Sequence, residues 1–222
     1  MYRMILPATV PDVVAVESGA GADARPVDAD AAAARTRADY GRVSRWGLGI
    51  LGTLGAAGAA FLLGFAADVL AEGHDPVGDG LFAAFIALIA AVFAVPSVWL
   101  LVALHRSGRR LARAAGFWAG LPYRQGRRSP TRGDWFSVRF LGFSSDLLLR
   151  LITSALAGLA AVFTISMVYY SLAVQPSTSG TVIAAALSIL LVAVCIGQFG
   201  GVQRIQNGYL ARDPAPLAPP RP

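Results

Sequence analysis

The sequence predicts an all-α polytopic membrane protein: four transmembrane helices paired as two hairpins, with an amphipathic interfacial helix between them. Three observations lead there. Of the 222 residues, 55% are hydrophobic and only 14% charged, whereas a soluble domain carries about 25% charged residues. The apolar residues fall into four long runs rather than a helical or strand period. The basic residues are all arginine, and ten of them lie between His105 and Arg150 against two acids, Asp134 and Asp146.

Residues 1–45 carry six arginines and six acids. The stretch Glu17 to Ala34 is Ala, Gly and Asp with few large apolar side chains, so it is expected to stay disordered for want of surface to bury. Met1 to Val10 lacks the longer apolar core and cleavage pattern of a signal peptide. From Ala31 to Arg45 the spacing allows a short helix leading into the membrane.

The first span is expected over residues 46–70, long enough for the ~20 residues that cross the hydrocarbon core. Trp46 stands where an interfacial aromatic anchor belongs. Gly52, Ala56, Ala60 and Gly64 recur every four residues and form a small-residue stripe on which another helix can pack. Residues 71–80 then make an acidic outer turn with Glu72, His74, Asp75 and Asp79, whose spacing is not diagnostic of a metal site.

The second span covers 81–104, with Pro96 inside it as a source of a kink. The helix should continue beyond the bilayer, because Arg106, Arg109, Arg110 and Arg113 fall at i, i+3, i+4 and i+7. That spacing gathers four guanidinium groups on one face at headgroup level, where each contributes roughly 1 kcal/mol beside an anionic leaflet. Pro122 is expected to end this helix. A basic loop with Arg124, Arg127, Arg128 and Arg132 follows, and 105–150 as a whole is read as cytoplasmic. Within it, Asp134 to Arg150 places Phe136, Phe140, Phe143 and Leu147 on one face, the pattern of a helix lying in the interface. The third span is 151–174, the connecting turn is uncharged, and the fourth span is 181–199, with Gly197, Gly200 and Gly201 loosening its inner end. A Pro-rich tail, 213–222, should be disordered.

Orientation follows from charge. Both expected outer turns lack arginine, while the segment between the hairpins is net positive, so both termini are placed in the cytoplasm. The basic balance therefore points to a bilayer with anionic headgroups as partner and not to nucleic acid. Anionic-lipid or phosphate contact is assigned to Arg106, Arg109, Arg110, Arg113, Arg127 and Arg128. Helix packing is assigned to Gly52, Ala56, Ala60 and Gly64, with self-association or another membrane protein as the further partner. Leu54 to Phe61 and Leu156 to Phe163 are alike, as are Leu111 to Arg113 and Leu210 to Arg212, which suggests a duplicated hairpin.

Signatures of chemistry are sparse. The second, third and fourth spans hold no Asp, Glu, Lys, Arg or His, and the thiol of Cys195 is expected to be buried and inert. Asp68 lies in the last turn of the first span. His74 and His105 fall on opposite expected sides of the membrane, so no Ser-His-Asp set is available, and no metal-binding or phosphate-loop motif occurs. No catalytic residue, cofactor or metal is expected. Thr153, Ser154, Thr164, Ser166 and Ser188 are the polar residues that could line a conduit.

The order of hairpin, Arg109 to Arg113 helix, Gly133–Asp134–Trp135 lead-in, second hairpin and Leu210 to Arg212 close resembles the four-helix sensor domain of actinobacterial membrane proteins and histidine kinases. The resemblance covers roughly residues 46–212 and implies a membrane sensing or partner-binding role. The sequence reading is thus a non-enzymatic plasma-membrane module, a sensor or accessory subunit. The alternatives are a small transporter or channel subunit acting as an oligomer and, further off, a lipid-modifying enzyme that lacks an evident general base.

Overall fold

A computed structural model describes residues 4–128 and 145–210, and the described residues form helices without strands. The helices are α1 (Val10–Glu17), α2 (Pro26–Gly41), α3 (Val43–Glu72), α4 (Pro76–Arg124), α5 (Ser145–Tyr169) and α6 (Thr178–Leu210), with one π-helical turn, Tyr170–Val174, after α5. Four helical stretches are long and apolar enough to cross a membrane. The chain divides into two compact units.

The apolar unit comprises Ser44–Leu104 and Ile152–Gln198. Its helices touch through small residues and hydroxyls. Gly52 of α3 lies against Leu101 of α4, and Gly55 against the Ser97 hydroxyl. Further along, Phe65 meets Phe82 edge-on at 6.4 Å. The numbers run in opposite directions, so α3 and α4 are antiparallel neighbours. In the same way α5 and α6 meet where the Ser154 hydroxyl donates to the Cys195 carbonyl at 3.0 Å and the Ser188 hydroxyl to Thr164 Oγ1 at 3.1 Å. Gly64 of α3 packs on Ile183 of α6, and Trp46 Nε1 donates to Thr153 Oγ1 at 2.8 Å. Such contacts hold helices together where the surroundings are as apolar as the core. Leu54, Phe61, Phe85, Leu88, Leu159 and Ile189 point outward and are exposed, which in water would be a large apolar patch.

The second unit comprises Met1–Val43, His105–Leu151 and Phe199–Pro222. It has the larger buried core: Leu111, Ala112, Ala115, Trp118 and Leu121 of α4, Val202 and Ile205 of α6, Leu147 of α5, and Ile5, Val13, Ala29, Ala32, Ala33 and Tyr40 from the N-terminal segment. This overturns the expectation that Glu17 to Ala34 is disordered. The sequence reading weighed large apolar side chains, of which there are few. The segment instead uses alanine, the strongest helix former. Ala29, Ala32, Ala33, Thr36 and Tyr40 fall on one helical face and are buried. Small side chains let backbones approach, and the large partner, Trp118, comes from α4. Its ring lies against Gly21, and its Nε1 donates to the Asp12 carbonyl at 3.1 Å.

Several boundaries also differ. Pro122 does not end α4, which runs on to Arg124. Gln125 N–H bonds the Leu121 carbonyl at 3.0 Å, and Gly126, at φ +67°, closes the helix with its N–H on the Tyr123 carbonyl at 3.1 Å, a left-handed terminus that suits glycine. Gly197, Gly200 and Gly201 do not loosen α6, which remains helical to Leu210. Gly200 and Gly201 instead make room for neighbours, as Gly201 does for the Tyr40 ring. The outer turn between α3 and α4 is shorter than expected, because α4 already begins at Pro76. Asp75 Oδ1 accepts the Val77 N–H at 3.2 Å, a capping contact at the first turn. Most of the expected interfacial helix, the lead-in Gly133–Asp134–Trp135, and the tail 213–222 lie outside the described residues.

Candidate functional site

The arginine distribution makes the second unit the place to look. Arg45 is the one arginine of the apolar unit, and the other eighteen belong to the second. Residues 105–124 are helical because nothing in them interrupts the α4 pattern. Leu111, Ala112, Ala114, Ala115, Trp118 and Ala119 are buried, and Arg106, Arg109 and Arg113 are exposed.

The N-terminal segment sorts these arginines into two sets. Arg110 Nε lies 3.2 Å from the Glu17 carboxylate. Arg128 pairs with Asp30 through both guanidinium nitrogens. Gln125, between them, donates to the Ala22 carbonyl at 2.6 Å. Arg106, Arg109, Arg113 and Arg127 are exposed and make no ion pair among the described residues. The expected anionic-contact set is therefore split: four of the six arginines face outward and two are engaged by acids of the same chain.

The segment carries its own pairs as well. Arg35 holds Asp12 through two bonds of 2.9 Å. The Asp39 carboxylate is buried; it accepts the Leu6 N–H at 2.8 Å and lies 2.9 Å from Arg42 Nε. Arg150, also buried, donates to the Tyr40 carbonyl at 2.6 Å and stacks on the Tyr40 ring at 4.3 Å. Burial pulls the Arg150 pKa down while Tyr40 opposes that. Sequence reasoning missed Tyr40, Asp39 and Trp118. The signal for Tyr40 was present in the helical spacing of Ala29, Ala32, Ala33, Thr36 and Tyr40; none in the sequence tied Trp118 to that segment.

One further cluster joins two helices of this unit. His105 and Arg109 stand one turn apart on α4. Burial, then the charges of Arg109 and of Arg204 on α6, hold the His105 pKa below its usual value. The helices come together further along: a Cβ on Gly116 would lie 2.5 Å from the Arg204 carbonyl oxygen, and Gly208 meets the Gly116 backbone. From there the Arg204 side chain folds back along α6, so that a Cβ on Gly200 would be 3.2 Å from its Nη1.

The remaining expected residues sit in the apolar unit. Gly52 and Gly64 contact α4 and α6, Ala60 is buried and Ala56 half-buried, so the stripe packs within its own chain. The hydroxyls that could line a conduit are engaged: Ser154, Thr164 and Ser188 are buried, Thr153 accepts from Trp46, and Ser166 donates to the Val162 carbonyl at 3.1 Å. Asp68 Oδ1 accepts the Ser179 N–H at 2.9 Å at the start of α6. An open cavity of about 560 Å³ is lined by Phe65, Glu72, His74, Asp75, Asp79 and Phe82 among others, but no group of metal-ligating side chains converges among the described residues.

Searches against protein-family models, curated proteins and solved structures find no match to this chain.

Proposed function

We propose that the chain is a non-enzymatic integral membrane module with a cytoplasmic head, acting in sensing or as an accessory subunit of a membrane complex. The apolar unit spans the plasma membrane as two hairpins, α3 with α4 and α5 with α6. Both termini and the arginine-rich unit lie on the cytoplasmic side. The observation that carries this reading is the partition of charge: eighteen arginines belong to one unit, while the other unit holds the exposed Leu and Phe side chains. Arginine-rich segments stay on the cytoplasmic side of a bilayer. The resemblance to four-helix sensor domains supports the same role.

A transporter or channel subunit is the less favoured reading, because the spans' hydroxyls bond to one another or to helix carbonyls. Engaged hydroxyls of this kind hold helices together.

Topology is tested on intact cells with a Cys195→Ala chain carrying one new cysteine at a time. An impermeant maleimide should label a cysteine placed at Gly78 and leave one at Arg127 unlabelled; the reverse pattern removes the proposal. The functional half is tested by in-cell crosslinking from the head. Defined membrane-protein neighbours are expected; a chain that crosslinks to no other protein would remove the accessory role.

A further inference from the structure

We propose that Arg106, Arg109 and Arg113 of α4 form a docking face for anionic phospholipid headgroups, and that Glu17 of the N-terminal segment competes with those headgroups for Arg110. The proposal deepens the membrane reading above and rests on it.

Position carries the first half. α4 is one unbroken helix from Pro76 to Arg124, and its apolar run ends at Leu104. At a rise of about 1.5 Å per residue, Arg106 stands about 3 Å beyond that end, Arg109 about 8 Å and Arg113 about 14 Å. The headgroup layer of a bilayer is about 5–8 Å deep. Every Cα–Cβ bond of a helix tilts towards the helix N-terminus. On α4 that is the direction of the apolar run, so the long arginine side chains reach back towards the headgroups. The three arginines fall within about 60° of one another around the helix and all are exposed, while Leu111, Ala115 and Trp118 bury the opposite side. A guanidinium offers a planar fork of donors that matches the oxygens of a phosphate headgroup.

Glu17 carries the second half. Arg110 stands about 40° round the helix from Arg106, on the side towards the core, and its side chain is only 26% exposed. Its Nε lies 3.2 Å from the Glu17 carboxylate. Glu17 is the last residue of α1, and α1 is held in place by the buried Val13 and by the Asp12 carbonyl, which accepts from Trp118 Nε1 at 3.1 Å. The fold thus sets an acid at the edge of the arginine face. The Glu17 side chain is itself 39% exposed, and an ion pair this open shifts an equilibrium by about 5-fold at most. One arginine gains about as much beside an anionic leaflet. Neither partner dominates, so Arg110 exchanges between Glu17 and a headgroup, and Glu17 lowers the affinity of the face for anionic lipid.

The test titrates the full chain in detergent with fluorescent phosphatidylglycerol and, separately, with fluorescent phosphatidylcholine, which carries no net charge. The parent should prefer phosphatidylglycerol. The Arg106→Gln/Arg109→Gln/Arg113→Gln chain should bind it about 10-fold or more weakly and bind phosphatidylcholine as before, which also shows that the variant is folded. The Arg25→Gln/Arg124→Gln/Arg127→Gln chain loses the same charge from the same unit and should lose under about 2-fold, because charges further off are screened. Glu17→Gln should tighten phosphatidylglycerol binding by about 2- to 5-fold and should do nothing in an Arg110→Gln chain. Asp23→Asn, the same charge change at another exposed acid of the segment, should do less than Glu17→Gln. Equal losses in the two triple variants, or a parent that does not prefer phosphatidylglycerol, would overturn the docking face. No tightening by Glu17→Gln, or tightening that survives Arg110→Gln, would overturn the competition. A parent that binds phosphatidylcholine without preference leaves the membrane reading standing; one that binds neither lipid and stays soluble without detergent removes that reading together with the proposal.

Discussion

The two units solve different packing problems with the same helical elements. In the apolar unit, contacts are made by small residues and hydroxyls against side chains: Gly52 on Leu101, Gly64 on Ile183, Ser188 on Thr164. In the arginine-rich unit, backbone meets backbone at Gly116 and Gly208, large side chains such as Trp118 and Leu111 are buried, and Arg110 and Arg128 are each paired with an acid. The contrast is the one expected if, as proposed, lipid surrounds the first unit and water the second. Lipid gives no hydrophobic drive between helices, so fit and hydroxyl bonds hold them. Water does give that drive, and a unit that uses it must also satisfy the charges it brings along.

The largest effect should come from the backbone approach. A Cβ at Gly208 would lie 2.6 Å from the Gly116 Cα and 2.9 Å from its carbonyl carbon, and backbone cannot rotate away. Gly208→Ala should therefore cost about 2–3 kcal/mol. Gly52→Ala in the other unit meets only the Leu101 side chain at 3.1 Å. Its cost should stay under about 1 kcal/mol, because alanine recovers helix propensity of similar size. Denaturant unfolding followed by tryptophan emission reads both, and equal losses would erase the distinction between the units.

A somewhat smaller effect is expected at Asp39. Asp39→Ala strips the Leu6 N–H of its acceptor and Arg42 of its partner, at a cost of about 2 kcal/mol. Trypsin should then cut after Arg35 and Arg37 several-fold faster than in the parent chain. Unchanged cleavage would mean that the N-terminal segment is held by Trp118 and its alanines alone.

How much of this was legible in the sequence differs between the units. The four apolar runs announce themselves by length, and the small-residue stripe through Gly52 and Gly64 marks a packing face. The arginine-rich unit was half-read. Its cations were visible from their spacing on α4, but their partners were not, because Glu17 and Asp30 lie about a hundred residues away in a segment whose composition suggests disorder. Ala29, Ala32 and Ala33 do bury, but in a core whose large side chains, Leu111 and Trp118, come from α4, and no local window contains both.

Hydroxyl contacts should matter less. Ser188→Ala removes the bond to Thr164 from a buried position, and membrane hydroxyl pairs average about 0.6 kcal/mol. Combining it with Thr164→Ala should add little beyond either single change, which a double-mutant cycle measures directly. Full additivity would show that the two hydroxyls act separately and that α5 and α6 are joined by something else.

The smallest effect is a pH slope at His105. Its pKa in the folded chain lies below the usual histidine value, because of burial and then Arg109 and Arg204. In the unfolded chain the imidazole returns to about 6.5. At neutral pH the ring is neutral in both states and contributes nothing. As pH falls through about 6.5, the unfolded chain takes up the proton first, so stability is lost until the folded-state pKa is reached, and it levels off below that. His105→Gln should therefore lessen the fall in Tm between about pH 7.5 and pH 5.5 by a small but resolvable amount. A variant whose slope matches the parent's would show that His105 does not carry the pH dependence.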